Sequence, residues 1–297
     1  MERTGVSRLA SAERKRVLVT VKAYPLPSRS YGELVCTAGV LGDGSWIRIY
    51  PVPFRVIRDS SYVAKYQWIE LDLVRNQKDA RPESFRPVRD DLSDMRVGEK
   101  VTTGRTRDWS ERRDLCCQTV YTSKRKLIED AYSKACVSLA TFKPSRILDV
   151  TVEAEKERDW KPKWRAKLEQ FDMFAPASFT PGERRAIIPK LPYKFRYRFE
   201  DDEGIESTLL IEDWEIGALY WNCLRNAEGD EAEAIAKVKQ KYLDEFASRD
   251  VHLFLGTTQR YHAIKAPNPF VVVGVFYPPV IEQDPQLGLF SAPPGLA

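Results

Sequence analysis

The feature that most constrains the fold is a strict two-residue alternation of aromatic and basic side chains between Tyr193 and Phe199. Aromatic residues occupy every second position of the segment YKFRYRF, and Lys or Arg stands between them. Because successive side chains of a β-strand point to opposite faces, this pattern predicts a strand with one aromatic face and one basic face. A turn at 200–204 and the segment STLLIED complete a predicted β-hairpin.

A second hairpin is predicted in GELVCTAGVLGDGSWIRIYPVPF, where Asp43-Gly44 separates two apolar runs. Alternation in its second arm places Ile47 and Ile49 on one face and places Trp46, Arg48 and Tyr50 on the other. The second face therefore combines aromatic rings with a guanidinium group.

The remaining patterns predict both strands and helices. A strand is expected over 65–73, with Tyr66, Trp68, Glu70 and Asp72 on one face, and a buried strand over 270–276. Apolar residues recur at helical spacing in 123–136, 159–174, 213–226 and 230–247. The charged, proline-containing stretch 75–113 reads as a long surface loop, and no internal repeat is visible apart from the two hairpins. The predicted class is α+β, mainly antiparallel β-hairpins forming a mixed sheet or partly open barrel with flanking helices.

Charge is distributed unevenly along the chain. Residues 1–150 carry 28 Lys and Arg against 19 Asp and Glu, a net charge of +9, whereas the remainder has a net charge of −5. Basic side chains gain free energy by releasing counterions from a polyanion. We therefore predict a basic, aromatic-rich, β-dominated nucleic-acid-binding half over 1–155. An α+β half follows over 156–297, and the two halves are also compatible with one continuous fold.

Several classes of protein lose support. The five cysteines lack metal-ligand spacing, the only histidines are His252 and His262, and no Walker, Rossmann, EF-hand, HExxH or nucleophile-elbow motif occurs. No apolar run approaches the roughly 18–20 residues that span a bilayer. We therefore expect a cytoplasmic protein in a reducing compartment, with no metal, no cofactor and no membrane partner.

The predicted nucleic-acid-binding residues form two groups. The first comprises Trp46, Arg48, Tyr50, Arg55 and Trp68, whose rings could stack bases while arginine holds phosphate; alternatively, the rings pack beneath the charged loop. The second comprises Lys194, Arg196 and Arg198, which form either a phosphate track or a solvated strand face.

Candidate catalytic residues are the carboxylates Glu33, Glu70 and Asp213. A base-excising glycosylase needs a pocket for an extruded base and an Asp or Glu that activates water or stabilises positive charge on the sugar. Each residue also has a purely structural explanation, since Asp213 can cap the helix that follows it and Glu70 can be a solvated edge charge.

The segments YPLPSRSYGELVCTAG, DGSWIRIYPVPFR, YKFRYRFEDDEG, LLIEDWEIGALYWNC and HLFLGTTQRYH together resemble a largely uncharacterised family of bacterial proteins associated with phage-defence loci. The resemblance covers nearly the whole chain and implies foreign nucleic acid as the target. The chain is also similar to anti-phage DNA glycosylases that remove modified cytosines.

The sequence therefore predicts a cytoplasmic, DNA-acting defence enzyme, a glycosylase that excises a modified base such as hydroxymethylated or glucosylated cytosine. Two alternatives stay open: a non-catalytic reader of DNA or RNA that recruits an effector, and a metal-dependent nuclease. The expected partner is DNA, with RNA as an alternative.

Overall fold

Five strands in the first part of the chain close into a barrel. The computed structural model describes residues 11–28, 32–53, 63–164, 166 and 188–281. The strands of this part are β1 (Glu13–Lys22), β2 (Leu26–Ser28), β3 (Gly32–Val40), β4 (Trp46–Pro53), β5 (Gln67–Arg75), β6 (Ser84–Pro87) and β7 (Arg96–Lys100). Hydrogen-bonded neighbours follow the order β1-β3-β4-β6-β5, and β5 pairs with β1 to close the circle. All these pairs are antiparallel except β4 and β6, which are parallel.

The inside of this first barrel is filled by the apolar positions of the alternating strands. Val17 and Val19 from β1, Ile47 and Ile49 from β4, and Ile69 from β5 are all buried in one cluster. The alternation predicted for β4 is therefore confirmed, and its Trp46, Arg48 and Tyr50 lie on the outer face of the barrel.

A connecting segment leads from the first barrel to the rest of the chain. It contains helix α1 (Ser110–Cys116), the two-residue strand β8 (Val120–Tyr121) and helix α2 (Lys124–Tyr132). The side chain of Ser123 caps α2 by accepting a hydrogen bond from the backbone N–H of Lys126.

The second part of the chain repeats the circular strand order of the first. Its strands are β9 (Leu139–Phe142), β10 (Arg146–Ala154), β11 (Tyr193–Glu200), β12 (Glu206–Leu210), β13 (His252–Thr257) and β14 (Phe270–Phe276). The order is β10-β11-β12, then a parallel bridge from Ile211 to Val272 of β14, then β14-β13-β9. Because β9 and β10 are consecutive in the chain and serve together as the first strand, the two sheets joined by the Ile211–Val272 bridge follow the same circular strand order.

Both barrels therefore have strands in the order 1-2-3-5-4-1 with strands 3 and 5 parallel, the arrangement of an OB-fold. The two hairpins predicted from sequence, β3–β4 and β11–β12, are strands 2 and 3 of the first and second barrels. The α+β class is confirmed.

Two helices lie between strands 3 and 4 of the second barrel. They are α3 (Trp214–Asn226) and α4 (Glu231–Lys239), which continues as a π-helical segment, Gln240–Glu245. Asp213 and Asp230 cap them, as their positions before the apolar periodic residues predict. A short helix, α5 (Gln259–Ala263), links β13 to β14. The second-barrel core includes Phe195, Tyr197 and Phe199, so the aromatic face of β11 points inward as predicted.

A third apolar cluster joins the two barrels. Leu18, Ala38 and Val40 on the outside of the first barrel pack in it with Phe254 and Phe276 of the second. Residue 155, where the sequence analysis divides the chain, falls between β10 and β11, strands 1 and 2 of the second barrel.

Candidate functional site

A cleft lies between the two barrels, beside the apolar cluster that joins them. Its volume is about 1060 Å³, large enough for a nucleotide-sized ligand. The residues that line it come from strands 1 to 5 of the first barrel, the loop 76–83 that joins strands 4 and 5, the segment after strand 5, and the facing surface of the second barrel: Val21, Ala23, Cys36, Ala38, Arg48, Tyr50, Pro51, Val74, Arg75, Asn76, Gln77, Lys78, Asp79, Arg81, Arg86, Asp90, Leu139, Glu212, Gly256, Thr257, Thr258, Gln259, Val271 and Val273. We call the loop 76–83 the 4–5 loop.

Basic side chains line the first-barrel side of the cleft. Lys78 and Arg86 are exposed and form no ion pair with a described carboxylate. The guanidinium of Arg75 donates to backbone carbonyls, including that of Ser84 at 2.6 Å, so its charge is not neutralised by an acid. These three cations give the opening of the cleft a positive potential.

Two further arginines, Arg48 and Arg81, hold the walls together. Arg48 is buried, and its guanidinium donates to Ser84 Oγ at 3.2 Å, to Ser138 Oγ at 2.8 Å and to the Ser138 carbonyl at 3.0 Å. Arg81 is buried in an ion pair with Asp79, and its Nη1 also donates to the Thr257 carbonyl of the second barrel at 2.6 Å. Both arginines thus connect the first barrel to residues beyond it.

One aromatic ring is available inside the cleft. Tyr50 lies on the outer face of strand 3, and its exposed fraction is 43%, among the largest for an aromatic side chain of the described residues. Burial of its hydroxyl raises the pKa of Tyr50, so the phenol stays neutral at physiological pH. An exposed, neutral ring on a positive surface is suited to stacking on a base.

The second-barrel side supplies hydroxyl groups and one carboxylate. Thr257 and Thr258 line the cleft, and the Thr258 hydroxyl also caps α5. Glu212 lies just after β12 and is partly buried, and its carboxylate forms no hydrogen bond or ion pair with a described residue. Burial raises the pKa of Glu212.

A cysteine in the same cleft does not have the character of a nucleophile. Cys36 lies on strand 2, and burial raises the pKa of its thiol above the ordinary value. A thiol activated for attack needs a lowered pKa. The described part of the chain also contains no group of three His, Cys, Asp or Glu side chains that could hold a metal ion.

The structure separates the residues that the sequence analysis placed on one aromatic and basic face. Arg48 and Tyr50 line the cleft, whereas Trp46 packs edge-on against Phe254 with ring centroids 5.1 Å apart, in the cluster that joins the barrels. The packing alternative considered for these rings therefore applies to Trp46. Arg55 falls outside the described residues.

Trp68 does not join this face, because its strand does not neighbour β4. Its strand, β5, pairs with β1, β6 and β7. The Trp68 ring is buried, and the guanidinium of Arg16 lies 4.5 Å from its centroid, a cation–π contact.

The three predicted catalytic carboxylates lie in different places. Glu70 is on β5, where Arg16 Nε lies 3.9 Å from its carboxylate, away from the residues that line the cleft. Glu33 belongs to β3, but its side chain lies outside what the structure describes.

Asp213 is buried at the start of α3, where its Oδ1 accepts from the backbone N–H of Glu215 at 3.1 Å. Burial raises the pKa of Asp213 to about 7, which the nearby Lys65 opposes. Its capping role, the alternative considered from sequence, accounts for its position.

The basic residues of β11 are matched by acidic neighbours. Lys194 Nζ lies 3.5 Å from Glu155, Arg196 Nη1 lies 2.7 Å from Glu153, and Arg198 Nη1 lies 3.9 Å from Glu206. This strand face therefore has little net positive charge, which favours the solvated-face alternative over a phosphate track.

Sequence reasoning missed the cations of the 4–5 loop region and missed Glu212. Lys78 and Arg86 belong to the segment 75–113 that was expected to be a long surface loop, but no pattern distinguished them from its many other charges. Glu212 stands next to the predicted Asp213, and alternation at the strand end sends one carboxylate to a helix cap and the other to the cleft.

Fold and cleft together define this chain as a tandem pair of OB-fold barrels with a basic cleft between them. The chain belongs to the family described as "Domain of unknown function (DUF8757)", whose model matches residues 118–294. Residues 13–118 match a second model, "Domain of unknown function (DUF8758)". The two matches meet at residue 118, in the segment that connects the barrels. No curated protein matches the chain.

Three solved structures are similar over 86–92% of this chain. The tetrameric p202 HIN2 structure is 7% identical, with 92% of this chain and 96% of that chain covered and a TM-score of 0.31. A murine DNA binding protein bound with double-stranded DNA is 9% identical, with coverage of 92% and 98% and a TM-score of 0.29. A replication protein A heterotrimer bound to single-stranded DNA is 11% identical, with coverage of 86% and 46% and a TM-score of 0.34. The OB-fold assignment rests on the strand order, not on these likenesses.

None of the described helices is both long and apolar enough to cross a membrane.

Proposed function

We propose that this protein binds single-stranded nucleic acid in the cleft between its two barrels. The observation that supports this most directly is the position of the cleft on the surface formed by strands 2 and 3 and the 4–5 loop of the first barrel. This is the surface that OB-folds use for oligonucleotides and oligosaccharides. Fold alone does not imply function, so the side chains at the site must also suit the ligand.

The side chains favour an oligonucleotide over an oligosaccharide. Arg75, Lys78 and Arg86 carry positive charge that no described carboxylate neutralises, as contacts to a phosphate backbone require. Tyr50 adds an exposed ring, and stacking one base on an aromatic side chain contributes about 1–3 kcal/mol. Phosphate contacts at the opening and a stacked base inside are together the usual elements of single-strand binding.

The proposal is tested by removing the two free cations. Lys78→Ala combined with Arg86→Ala should weaken binding to a fluorescent single-stranded oligonucleotide. It should also lower the slope of log affinity against log salt by about 0.7 for each phosphate that the variant no longer neutralises. The matched control is Lys194→Ala combined with Arg196→Ala, which removes the same charge from β11, where carboxylates already pair with both groups. Equal losses of affinity in the two double variants, or unchanged affinity in the cleft variant, would refute the proposed site.

A second candidate function, base excision, is favoured by Glu212. A carboxylate whose pKa is raised by burial and that has no described protein partner is suited to take a proton from water. In that reaction the water oxygen bonds to the sugar C1′ as the N-glycosidic bond breaks, and the base leaves with the bonding electrons. The resemblance to anti-phage glycosylases supports a modified cytosine as substrate. A cytoplasmic role in phage defence is part of this same proposal.

The glycosylase candidate is tested by incubating the protein, with EDTA, on unmodified DNA and on DNA bearing hydroxymethylated or glucosylated cytosine, followed by alkaline cleavage. Alkali-dependent breaks in modified DNA that Glu212→Gln abolishes would support it. Retained binding without breaks would leave the non-catalytic reader. Breaks that appear only after magnesium is restored would favour a nuclease.

A further inference from the structure

The backbone of Glu212 is hydrogen-bonded to both barrels. Its backbone N–H donates to the Val272 carbonyl of the second barrel at 2.8 Å, and its own carbonyl accepts from the Tyr24 N–H of the first barrel at 3.0 Å. Glu212 is therefore fixed from both barrels at the point where they meet. A residue held in this way presents its side chain to the cleft in a defined place.

The environment of the Glu212 carboxylate is unusual for an acid in a basic cleft. Arg48, Arg75 and Arg81 line the same cleft, but each directs its hydrogen bonds to other groups described above. Glu212 is partly buried and forms no hydrogen bond or ion pair with a described residue. Desolvating an unpaired carboxylate costs free energy, and a ligand group that donates a hydrogen bond to it would recover that cost.

Two free cations and the Glu212 carboxylate occupy different sides of the cleft, and the exposed carboxylate of Asp90 also lines the first-barrel side. The free cations Lys78 and Arg86 belong to the first-barrel side, where the phosphates of a bound strand would lie. Glu212 belongs to the second-barrel side, whose lining also includes Thr257. A base that stacks on Tyr50 has its phosphate and its hydrogen-bonding edge on opposite sides of the sugar, so the edge would face the second barrel.

An ionised carboxylate only accepts hydrogen bonds. It therefore pairs with an exocyclic amine, such as N4 of cytosine, and it repels the carbonyl oxygen that uracil and thymine carry at the same ring position. We propose that Glu212 makes the cleft selective for bases that bear an exocyclic amine, with cytosine preferred over uracil. This inference rests on the proposed nucleic-acid binding and names the base that the same site selects.

The experiment compares fluorescent oligo-dC and oligo-dU of equal length at pH 7.5. The two strands differ in the 4-amino group of cytosine and the 4-oxo group of uracil, together with the protonation of N3. The wild-type protein should bind oligo-dC at least about fivefold more tightly, the lower end of the discrimination that a well-placed base contact provides. Glu212→Gln should reduce the preference to near one, because the Gln amide can either accept from cytosine or donate to uracil.

Two further measurements separate the explanations. Glu212→Gln should unfold at the same temperature as the wild type or higher, since it removes a partly buried unpaired charge, and so a change in base preference would not reflect misfolding. Equal binding of oligo-dC and oligo-dU by the wild type, weakened in both cases by Lys78→Ala with Arg86→Ala, would overturn the selectivity and leave the proposed function standing. Failure of the wild type to bind either strand would overturn both.

Discussion

Arg48 and Tyr50 lie on the same face of β4, but their side chains have different surroundings. Arg48 and Tyr50 are separated by one residue of β4 and both point away from the barrel interior. Arg48 is buried and its guanidinium makes three hydrogen bonds to Ser84 and Ser138, whereas Tyr50 is exposed at 43% and its ring is available to a ligand. The strand face on which a residue lies can thus be predicted from the sequence. The groups that pack against that face in the folded protein determine whether the side chain stabilises the fold or is available to bind a ligand.

We predict that alanine at these two positions separates stability from binding. Arg48→Ala should lower the free energy of unfolding by roughly 2–4 kcal/mol, because it removes buried hydrogen bonds to a charged group and deprives the Ser138 carbonyl of that donor. Tyr50→Ala should change it by less than about 0.5 kcal/mol while weakening oligonucleotide binding by about 1–3 kcal/mol.

Urea unfolding and fluorescence anisotropy measure the two quantities. Tyr50→Phe, which keeps the ring, is the control and should retain most of the affinity. Destabilisation of Tyr50→Ala comparable to that of Arg48→Ala would contradict the division of roles.

At the scale of elements, several hydrogen bonds attach the 4–5 loop to the second part of the chain, among them those from Gln259 to the Lys78 carbonyl and from Arg81, which is held in a buried ion pair. Asp79 orients Arg81, whose guanidinium reaches the Thr257 carbonyl. Burial alone would raise the pKa of Asp79, but the hydrogen bonds and the charge of Arg81 lower it to about 2. The pair therefore holds in place the loop that carries Lys78.

A pH-dependent contribution to stability follows from the lowered pKa of Asp79. Because the folded pKa lies below the ordinary value, the ionised group stabilises the fold above about pH 4, and this stabilisation is lost as pH falls from about 4 towards 2. It amounts to about 2 kcal/mol. Asp79→Asn should lower the free energy of unfolding at pH 7 by at least that amount, and the difference from the wild type should shrink as pH is lowered through this window.

Urea unfolding at pH 7, 4 and 2.5 measures this difference. Asp72→Asn is a suitable control, since Asp72 is an exposed carboxylate 3.4 Å from Arg14 and should change stability by less than about 0.5 kcal/mol. A difference between wild type and Asp79→Asn that stays constant with pH would argue against an ion pair at this position.

Elements with a strong internal pattern were predictable, and those defined by their neighbours were not. Both hairpins and the helices α2, α3 and α4 follow from alternation, helical spacing and capping residues. In contrast, β6 and β7 lie in a segment that was expected to be a loop. Strand β6 is only four residues long, SFRP, and only its parallel pairing with β4 in the folded protein identifies it as a strand. The repeat of the barrel is likewise invisible in sequence, since it consists of strand order rather than of shared residues. The cleft could not be predicted from the sequence for the same reason, because its two sides come from strands that are distant in the chain.

At the scale of the whole molecule, the two barrels share an apolar cluster that belongs to neither core. Phe254 of the second barrel is fully buried and contacts Trp46 of the first barrel and Phe276, with ring centroids 5.1 and 5.8 Å apart. The family boundary at residue 118 therefore divides the sequence but not the packing.

We predict that Phe254→Ala weakens the contact between the barrels and costs about 3–5 kcal/mol of stability. Amide hydrogen exchange should then rise at the facing surfaces of both barrels, including β3 and β14. Phe199→Ala is the matched control, because Phe199 is equally buried but contacts Phe142 within the second barrel, with centroids 5.5 Å apart. Its increase in exchange should concentrate in the second barrel, and identical exchange patterns in the two variants would count against a shared interface.

The cleft has one wall from each barrel, so a nucleic-acid strand bound there as proposed would connect the two barrels. A ligand that touches both walls adds its own binding free energy to the cohesion of the molecule, about 2.7 kcal/mol at a concentration one hundred times the dissociation constant. By linkage, a partner that favours a wider angle between the barrels and a ligand that needs both walls in contact weaken each other's binding by the same factor. A change in the occupancy of the cleft should therefore change the angle between the barrels, and a change in that angle should change the affinity of the cleft for its ligand.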